Sequence, residues 1–388
     1  MTTQNPTPAS PAAATPSASA GDAPPVQFEE RAAAGGRRIG IARLDRPRQL
    51  NALDLDLCER LLARMRAWAD DPAVVAVLLA GTGPKAFCAG GDVSRLVREI
   101  RAGGPHAFDF GDAFFTTEYT LDLLLHRYPK PLITWAHGIT MGGGLGLSVA
   151  GSQRIVTPDI RIAMPEIHIG LFPDVGGGWF LNRVPGEAGL LMALTGVGLA
   201  AADAIYARLA DYVLPHDRQA AFIDALAALD WGAGPTDWQA QTTRLCREFE
   251  AADGSAAPAA ASALRQRYDL IRSICTRAKL SGVLKGLREA AQADAWFVQP
   301  LGNLEHGSPT AAAVTFEYLR RSRLLGIAEV LALDRTVARR CMRGHDFPEG
   351  VRALLIDKDK SPRWSPAALA DVDAALVARH FEPFEAAA

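Results

Sequence analysis

The sequence predicts an α/β fold that is followed by a helical C-terminal region. In the first half of the chain, a unit of apolar strand, glycine-rich turn and helix occurs twice. From about residue 199, stretches rich in Ala, Leu and Arg have the spacing of helices. Repeated strand, turn and helix units are typical of parallel strands with helices packed on them. We expect a disordered tail rich in Ala, Pro and Ser at 1–25, a core at 26–198 and a helical region at 199–388.

The first unit begins with a hairpin. Extended segments at 26–31 and 38–44 flank an Ala-Gly-Gly sequence that is typical of a turn. Residues 54–70 have the apolar stripe of an amphipathic helix, and the β-branched run at 74–80 suits a buried parallel strand. A glycine turn and a helix at 93–101 complete the unit.

The second unit repeats this order. A strand is predicted at 131–136, a glycine turn at 138–144 and a helix at 144–150, before short strands at 154–157 and 160–164. Ligands of parallel sheets bind beyond the carboxyl ends of the strands. Both glycine turns are expected to lie there.

The C-terminal region is predicted to be helical throughout, with Gly326 as a break between its last two long helices. The predicted helices are 201–210, 217–229, 237–251, 258–275, 311–325 and 327–342.

Composition argues against several classes of function. The formal net charge is −2, which gives no reason to expect nucleic acid or an anionic membrane as a partner. No apolar run has the length of a membrane span. The five cysteines are scattered and lack CxxC pairs, which is typical of reduced thiols and not of a disulfide framework or zinc site. Residues 1–25 contain no Arg or Lys and carry no targeting pattern, so we expect a cytoplasmic protein.

The two glycine turns are candidates for an oxyanion hole. Glycine lets backbone N–H groups approach a ligand, and two such donors aimed at one point stabilise a developing oxyanion. The three glycines at 142–144 would each cost about 1 kcal/mol inside a helix, so a helix start suits them better. Neither turn has the P-loop or GxGxxG pattern. The turn at 86–92 has a simpler explanation as a tight connection with Asp92 as N-cap.

Two acids follow the turns. Glu166 lies in an apolar stretch, where partial desolvation would raise its pKa and suit it to acid/base work. Asp174 lies between a proline and three glycines. Each also has a structural explanation, Glu166 as a capping acid and Asp174 as the N-cap of a helix through 177–182. We interpret His168 as structural and Cys88 as a packing residue.

Taken in order, these motifs resemble the crotonase (enoyl-CoA hydratase/isomerase) superfamily over about residues 26–381. The resemblance implies a crotonase-type ββα spiral core. Segment 45–53 resembles the first segment that contacts CoA, which implies contacts from Asn51, Ala52 and Leu53. The glycine turns match the oxyanion segments, which implies that the amides of Gly91 and Gly143 hold a thioester oxygen.

Finer matches resemble the 3-hydroxyisobutyryl-CoA hydrolases of that superfamily. They are the runs 137–144, 170–178, 341–347 and 356–362. Gly146 stands where hydratases carry a second glutamate, which disfavours concerted hydration, and Glu118 matches a third acidic position of the hydrolases. The pair Ile167 and His168 departs from the smaller residues usual there.

The resemblance implies hydrolysis of a short 3-hydroxyacyl-CoA, 3-hydroxyisobutyryl-CoA in valine catabolism. Glu166 and Asp174 would be catalytic, with Glu166 activating water or attacking directly, and Glu118, Gly143, Glu166 and Asp174 would bind substrate. Neither a metal nor a cofactor is expected, because CoA is part of the substrate. The alternatives are an enoyl-CoA isomerase, a hydratase, and a non-catalytic CoA- or RNA-binding relative. The chain would form a homo-oligomer, or its C-terminal helices would cover the site within one chain.

Overall fold

The structure, a computed structural model, describes residues 24–232 and 234–384. The tail predicted at 1–25 therefore lies almost entirely outside the described residues. Nine strands form two sheets within those residues. The strands are β1 (Val26–Ala33), β2 (Arg37–Leu44), β3 (Val74–Gly81), β4 (Ala86–Cys88), β5 (Leu132–Ala136), β6 (Ile139–Met141), β7 (Gln153–Val156), β8 (Arg161–Ala163) and β9 (Tyr212–Val213).

From β3 to β8 the chain alternates between the two sheets, which gives a spiral. The larger sheet has the order β1-β2-β3-β5-β7-β9 and the smaller has β4-β6-β8. Only β1 and β2 pair antiparallel, as the predicted hairpin requires, and every other pair is parallel. Each strand of the smaller sheet follows one of the larger sheet in the chain, as β4 follows β3. The structure confirms the predicted ββα spiral and adds β4 and β6, which the sequence analysis had assigned to turns.

Helices surround the spiral and make up most of the chain after residue 199, as predicted. The helices are α1 (Leu55–Asp70), α2 (Val93–Ala102), α3 (Asp109–His126), α4 (Gly143–Val149), α5 (Gly177–Phe180), α6 (Ala188–Thr195), α7 (Ala201–Tyr206), α8 (Gln219–Ala228), α9 (Pro235–Asp253), α10 (Ala263–Gln266), α11 (Tyr268–Cys275), α12 (Leu280–Ala293), α13 (Val298–His306), α14 (Pro309–Ser322), α15 (Ile327–Arg343), α16 (Asp346–Val351) and α17 (Ala374–Arg379).

Local signals account for the elements that were predicted well. The Asp54 side chain accepts a hydrogen bond from the Leu57 amide and starts α1 where the pattern places it. Every residue of β3 is buried, which explains its continuous apolar sequence. The Gly326 break is confirmed, and the Glu329 side chain bonds the Gly326 amide at the start of α15.

Several helical regions were predicted wrongly, and no helix was predicted at α6, α12, α13, α16 or α17. Helix α3 was missed, since its N-terminus has no side-chain cap and its buried face includes the acids Glu118 and Asp122. It packs against α1 and α15, and a Cβ on Gly111 would lie 2.4 Å from the Met342 sulfur, so close packing requires glycine. The single helix predicted at 258–275 is two helices, because the backbone of Arg267 leaves helical geometry (φ −110°, ψ 17°).

The region after residue 199 is continuous with the core. Leu199 pairs with Ile162, and β9 extends the larger sheet beside β7. The division into two parts at residues 198 and 199 stays a prediction. Among the described residues, no helix combines the length and apolarity needed to cross a bilayer.

We predict that Asn51→Ala destabilises the fold. The fully buried Asn51 amide donates to the carbonyl oxygens of Thr82 and Ala86 at 2.9 Å each and accepts from the Arg46 amide. Its loss leaves buried backbone groups unpaired, so the free energy of unfolding should fall by roughly 2–4 kcal/mol in urea titrations. Asn303→Ala, which removes one hydrogen bond to Thr195, should cost less. Equal losses would contradict the bracing role of Asn51.

Candidate active site

The first glycine turn joins β4 to α2, and segment 51–53 braces it. Leu53 donates its amide to the Gly90 carbonyl (2.9 Å) and accepts from the Asp92 amide (2.7 Å). The Gly90 amide faces the Cys88 sulfur at 3.5 Å. Between these bonded groups, the Gly91 amide has no acceptor among the described residues. It is therefore free to donate to a ligand.

The second turn has the same property. Gly142 adopts φ 51° and ψ −125°, a conformation that only glycine tolerates readily, and its amide bonds to the Ala163 carbonyl. Gly143 is the first residue of α4, and its amide has no acceptor in the described part of the chain. Such a free amide at a helix start attracts negative charge.

The two turns touch each other, and only glycines allow this contact. A Cβ on Gly144 would lie 2.1 Å from the Cys88 carbonyl oxygen, which is a severe clash. A Cβ on Gly90 would lie 3.1 Å from the Met141 carbonyl oxygen and 3.6 Å from the Gly143 nitrogen. Gly91 and Gly143, whose amides have no acceptor among the described residues, thus line one cavity.

This cavity has a volume of about 190 Å³. Of the residues that line it, Leu354 and Leu355 are the exposed pair, so they stand at its mouth. Neither leucine was predicted as part of the site, because no local pattern links residue 354 to the glycine turn at 86–92, about 260 positions earlier. The lining residues are Ala89, Gly90, Gly91, Val93, Phe114, Phe115, Glu118, Gly142, Gly143, Pro165, Glu166, His168, Ile169, Leu171, Asp174, Leu354 and Leu355.

Glu166 is buried beside the second turn. It begins a short 3₁₀ helix after β8 and is 5% exposed. A Cβ on Gly142 would lie 2.8 Å from its Oε1, while its Oε2 is buried with no hydrogen-bond partner in the described residues. Burial, and then the charge of Asp174, raise the pKa of Glu166 well above its usual value. The expectation of a desolvated acid is confirmed.

Asp174 lines the same cavity from the turn before α5. Its Oδ2 accepts a hydrogen bond of 2.6 Å from the Tyr119 hydroxyl. Burial raises the pKa of Asp174 to about 6, and the Tyr119 bond opposes that rise. Its proposed structural role as N-cap is wrong, because Gly176 occupies that position and no side chain caps α5. The Asp92 side chain does not cap α2 either and lies 3.4 Å from the Arg46 guanidinium.

Glu118 reaches the cavity from α3. It is 2% exposed, and a Cβ on Gly143 would lie 2.5 Å from its Oε1. Burial raises its pKa first, and the charges of Asp174, Asp122 and Glu166 add to the rise. Three carboxyl groups, those of Glu118, Glu166 and Asp174, therefore line the cavity that borders the second glycine turn.

The position of Gly146 is filled from another element. A Cβ on Gly146 would lie 2.7 Å from the Val175 Cβ and 3.2 Å from the Val175 carbonyl oxygen. Val175 itself has φ 50°, which is unusual for a β-branched residue. A side chain at 146, such as a second glutamate, does not fit beside Val175 as it stands.

The side chains of segment 51–53 contact protein. Asn51 and Leu53 are fully buried, and the Ala52 carbonyl accepts from the Arg46 guanidinium. A separate cavity of about 230 Å³ borders Asn51 and is lined by Arg48 and Lys85. Contact between this segment and CoA stays a prediction.

His168 and Cys88 lie at the site without an assigned reaction. His168 lines the cavity half-buried, and burial followed by the His306 charge lowers its pKa. Burial raises the pKa of Cys88 to about 12, which makes it an inert thiol and supports the packing interpretation.

Residues distant in sequence support the Asp174 turn. Asp334 on α15 accepts the Gly176 amide at 2.8 Å and the Tyr318 hydroxyl. Tyr318 on α14 in turn accepts the Gly178 amide at 2.8 Å. The bonds to the Gly178 and Gly176 amides span 140 and 158 positions, and the sequence holds no signal for them. Among residues 24–232 and 234–384, no group of three or more His, Cys, Asp or Glu is arranged to hold a metal.

Comparison with known proteins places this geometry in a family. Residues 39–381 match the family described as Enoyl-CoA hydratase/isomerase. The chain is 36% identical to 3-hydroxyisobutyryl-CoA hydrolase, mitochondrial, of Gallus gallus over 89% of this chain and 86% of that protein. It is 37% identical to 3-hydroxyisobutyryl-CoA hydrolase 1 of Arabidopsis thaliana over 89% and 90%, respectively.

Two solved structures share the fold over nearly the whole chain. A carnitinyl-CoA dehydratase from Mycobacterium thermoresistibile is 33% identical with a TM-score of 0.79, and the match covers 92% of this chain and 97% of that one. An enoyl-CoA hydratase from Rhodobacter sphaeroides is 35% identical with a TM-score of 0.78 and the same coverage. The similar proteins are thus named as hydrolases, a hydratase and a dehydratase.

We predict that Asp122→Asn stabilises the protein at high pH. Asp122 on α3 is fully buried, and neither carboxyl oxygen has a partner among the described residues. Burial, followed by the charges of Asp174 and Asp334, raises its pKa well above the usual value. Its stabilising contribution is present at low pH, while the group is protonated, and is lost as pH rises through the raised pKa.

The substitution should therefore raise the free energy of unfolding by roughly 1–3 kcal/mol at pH 8 and by less at pH 5, measured by urea unfolding. Asp217→Asn at an exposed position is the matched control and should have little effect at either pH. Destabilisation by Asp122→Asn at pH 8 would show that the Asp122 carboxylate is stabilising.

Proposed function

The chain belongs to the enoyl-CoA hydratase/isomerase family, and from this premise we propose that it hydrolyses the thioester of a short 3-hydroxyacyl-CoA. The substrate we propose is 3-hydroxyisobutyryl-CoA, in valine catabolism. One observation carries the reaction type: two free amides, of Gly91 and Gly143, share a cavity with the buried acid Glu166. The names of relatives at 36–37% identity support 3-hydroxyisobutyryl as the acyl group of the substrate.

The oxyanion hole would act first. The thioester oxygen accepts hydrogen bonds from the Gly91 and Gly143 amides, which stabilise the charge that develops on that oxygen as the acyl carbon becomes tetrahedral. The amides are already oriented by the bonded groups on either side of them, so little reorganisation accompanies the reaction.

Glu166 would act at the acyl carbon by one of two routes. As a base, it takes a proton from water while the water oxygen bonds to the acyl carbon, and the proton passes on to the departing CoA sulfur. As a nucleophile, its oxygen bonds to the acyl carbon and expels CoA thiolate, and water then hydrolyses the anhydride. Both routes need ionised Glu166, and both yield the free acid and CoA thiol.

Asp174 and Glu118 would orient the attacking water or the substrate hydroxyl. Their carboxyl groups line the cavity beside Glu166, and hydroxyl groups donate well to carboxylates. Their charges also raise the pKa values of the group, because like charges resist ionisation together.

Hydration of an enoyl-CoA is the second candidate, since the two similar structures are named as a hydratase and a dehydratase. Water addition across a double bond uses a pair of acid/base groups. Val175 occupies the space that a second glutamate at position 146 would need. The cavity has other carboxyl groups but none from position 146, so hydrolysis, which needs one such group at the carbonyl, suits this site better.

We also propose that the protein works in the reducing cytoplasm. All five cysteines are free and buried, which suits a compartment that keeps thiols reduced. The Gallus gallus and Homo sapiens relatives are named as mitochondrial proteins. Fractionation of the native cells with antibody detection distinguishes the two compartments.

The reaction is tested by thiol release. The protein is incubated in parallel with 3-hydroxyisobutyryl-CoA and crotonyl-CoA, and free CoA is detected with a thiol reagent. Release from the hydroxyacyl ester alone supports the hydrolase. Loss of the crotonyl enone absorbance without thiol release would overturn it in favour of a hydratase.

We predict that Glu166→Gln reduces kcat for thiol release by at least about 10³-fold while leaving binding of the CoA ester largely intact. The amide keeps the shape of the side chain and removes its basicity and nucleophilicity. Binding is measured by calorimetry with the variant. Glu248→Gln, at an exposed position, is the matched control. A Glu166→Gln variant that still turns over would contradict the assignment.

We predict that kcat/KM falls on the acid side at a pH well above the usual carboxylate range. Glu166 must be ionised to act, and burial together with the Asp174 charge raises its pKa. The pKa of Asp174 is itself about 6. Activity should therefore be lost as pH falls through the raised pKa of Glu166, and protonation of Asp174 near pH 6 should add to the loss, measured in a buffer series from pH 4 to 9. An acid limb near pH 4.5 would show that the site is solvated.

A further inference from the structure

Tyr119 makes the one side-chain hydrogen bond that the described residues offer to the Asp174 carboxylate. Its hydroxyl donates to Asp174 Oδ2 at 2.6 Å, and both residues are buried. Tyr119 follows Glu118 on α3, and its ring packs against Phe115, which lines the cavity, with centroids 5.6 Å apart. The phenol is thus held by the same helix that presents Glu118.

The conformation of the backbone around Asp174 explains why the carboxylate needs this hydrogen bond. Val175 has φ 50° and Gly176 has φ 82°, so the turn is held in a conformation that a β-branched residue rarely adopts. Asp334 and Tyr318 fix the amides of Gly176 and Gly178 on the C-terminal side. Neither of them bonds the Asp174 carboxylate, and among the side chains of the described residues Tyr119 is the donor to it.

On the basis of the proposed hydrolysis, we propose that Tyr119 is a positioning residue that holds the Asp174 carboxylate in the cavity beside Glu166. A buried carboxylate that accepts a charge-assisted hydrogen bond is both oriented and stabilised in its ionised form. Glu166 Oε2 has no such donor among the described residues. Tyr119 therefore distinguishes Asp174 from Glu166.

Other titratable groups surround Asp174, and its protonation reflects all of them. The pKa of Asp174 is raised by burial and lowered by Tyr119. The titratable side chains that contact Asp174, or whose pKa responds to its charge, are Glu118, Tyr119 and Asp122 on α3, Glu166, Tyr318 on α14, and Asp334 and Cys341 on α15.

Tyr119→Phe tests the proposal. It removes one hydroxyl and keeps the ring, so kcat for thiol release from 3-hydroxyisobutyryl-CoA should fall about 10- to 100-fold, the range for a hydrogen bond to a charged group, with KM changed less than about 3-fold. Without its donor, Asp174 should have a higher pKa, so the acid limb of kcat should move to higher pH. Tyr128→Phe removes a hydroxyl bonded to the Met65 carbonyl outside this cavity and should leave kcat and the pH profile unchanged.

The same substitution in a second variant distinguishes positioning of Asp174 by Tyr119 from general damage to the fold. In an Asp174→Asn protein, Tyr119→Phe should cause little further loss of kcat, because the two residues act as one unit. Equal losses in both backgrounds, or an unchanged kcat and pH profile in the single variant, would overturn the proposal.

A titration without substrate distinguishes this proposal from the proposed function. Wild-type protein labelled with ¹³C at aspartate carboxyl groups is titrated by NMR, and the Asp174 resonance is identified by its absence in Asp174→Asn. Tyr119→Phe should shift the titration of that resonance to higher pH even if the wild type releases no thiol. An unshifted resonance would overturn the Tyr119 assignment, whereas absent thiol release alone would overturn only the function.

Discussion

The site depends on the direct contact between two glycine turns. A Cβ on Gly144 would lie 2.1 Å from the Cys88 carbonyl oxygen, so any side chain there would force the turns apart. The contact brings the amides of Gly91 and Gly143 into one cavity. The spiral makes this possible, because β4 and β6 are neighbours in the smaller sheet and each ends at its turn. Strand pairing thus brings the two glycine turns together.

Burying the carboxyl groups of the cavity costs free energy, and the fold provides hydrogen-bond donors to some of their oxygens and not to others. Asp174 has the Tyr119 hydroxyl, while Glu166 Oε2 has no partner among the described residues. The same is true of both oxygens of Asp122, which is buried but does not line the cavity. Buried carboxyl groups without donors favour their protonated forms. The cavity therefore combines two glycine turns that have free amides with acids whose pKa values are raised above those of exposed carboxylates.

The C-terminal helices are part of the site. Asp334 and Tyr318 bond the amides of the Asp174 turn, and Leu354 and Leu355 stand at the mouth of the cavity. Residues after 199 thus determine both the shape of the acidic turn and access to it. The strained Val175 in that turn also fills the space beside Gly146, so the same supports that hold Asp174 exclude a second glutamate.

Local signals in the sequence (apolar periodicity, glycine runs and an acid in an apolar stretch) determined the succession of strands and helices, the two glycine turns and the burial of Glu166, whereas the spiral followed from the family resemblance. It did not predict α3, whose buried acids obscure the apolar stripe, or β4 and β6, which are three residues each. Only the tertiary structure decided that Tyr119 and not a helix terminus bonds Asp174, and that Val175 fills the space beside Gly146. Those contacts join residues that only packing brings together, and no local pattern encodes packing.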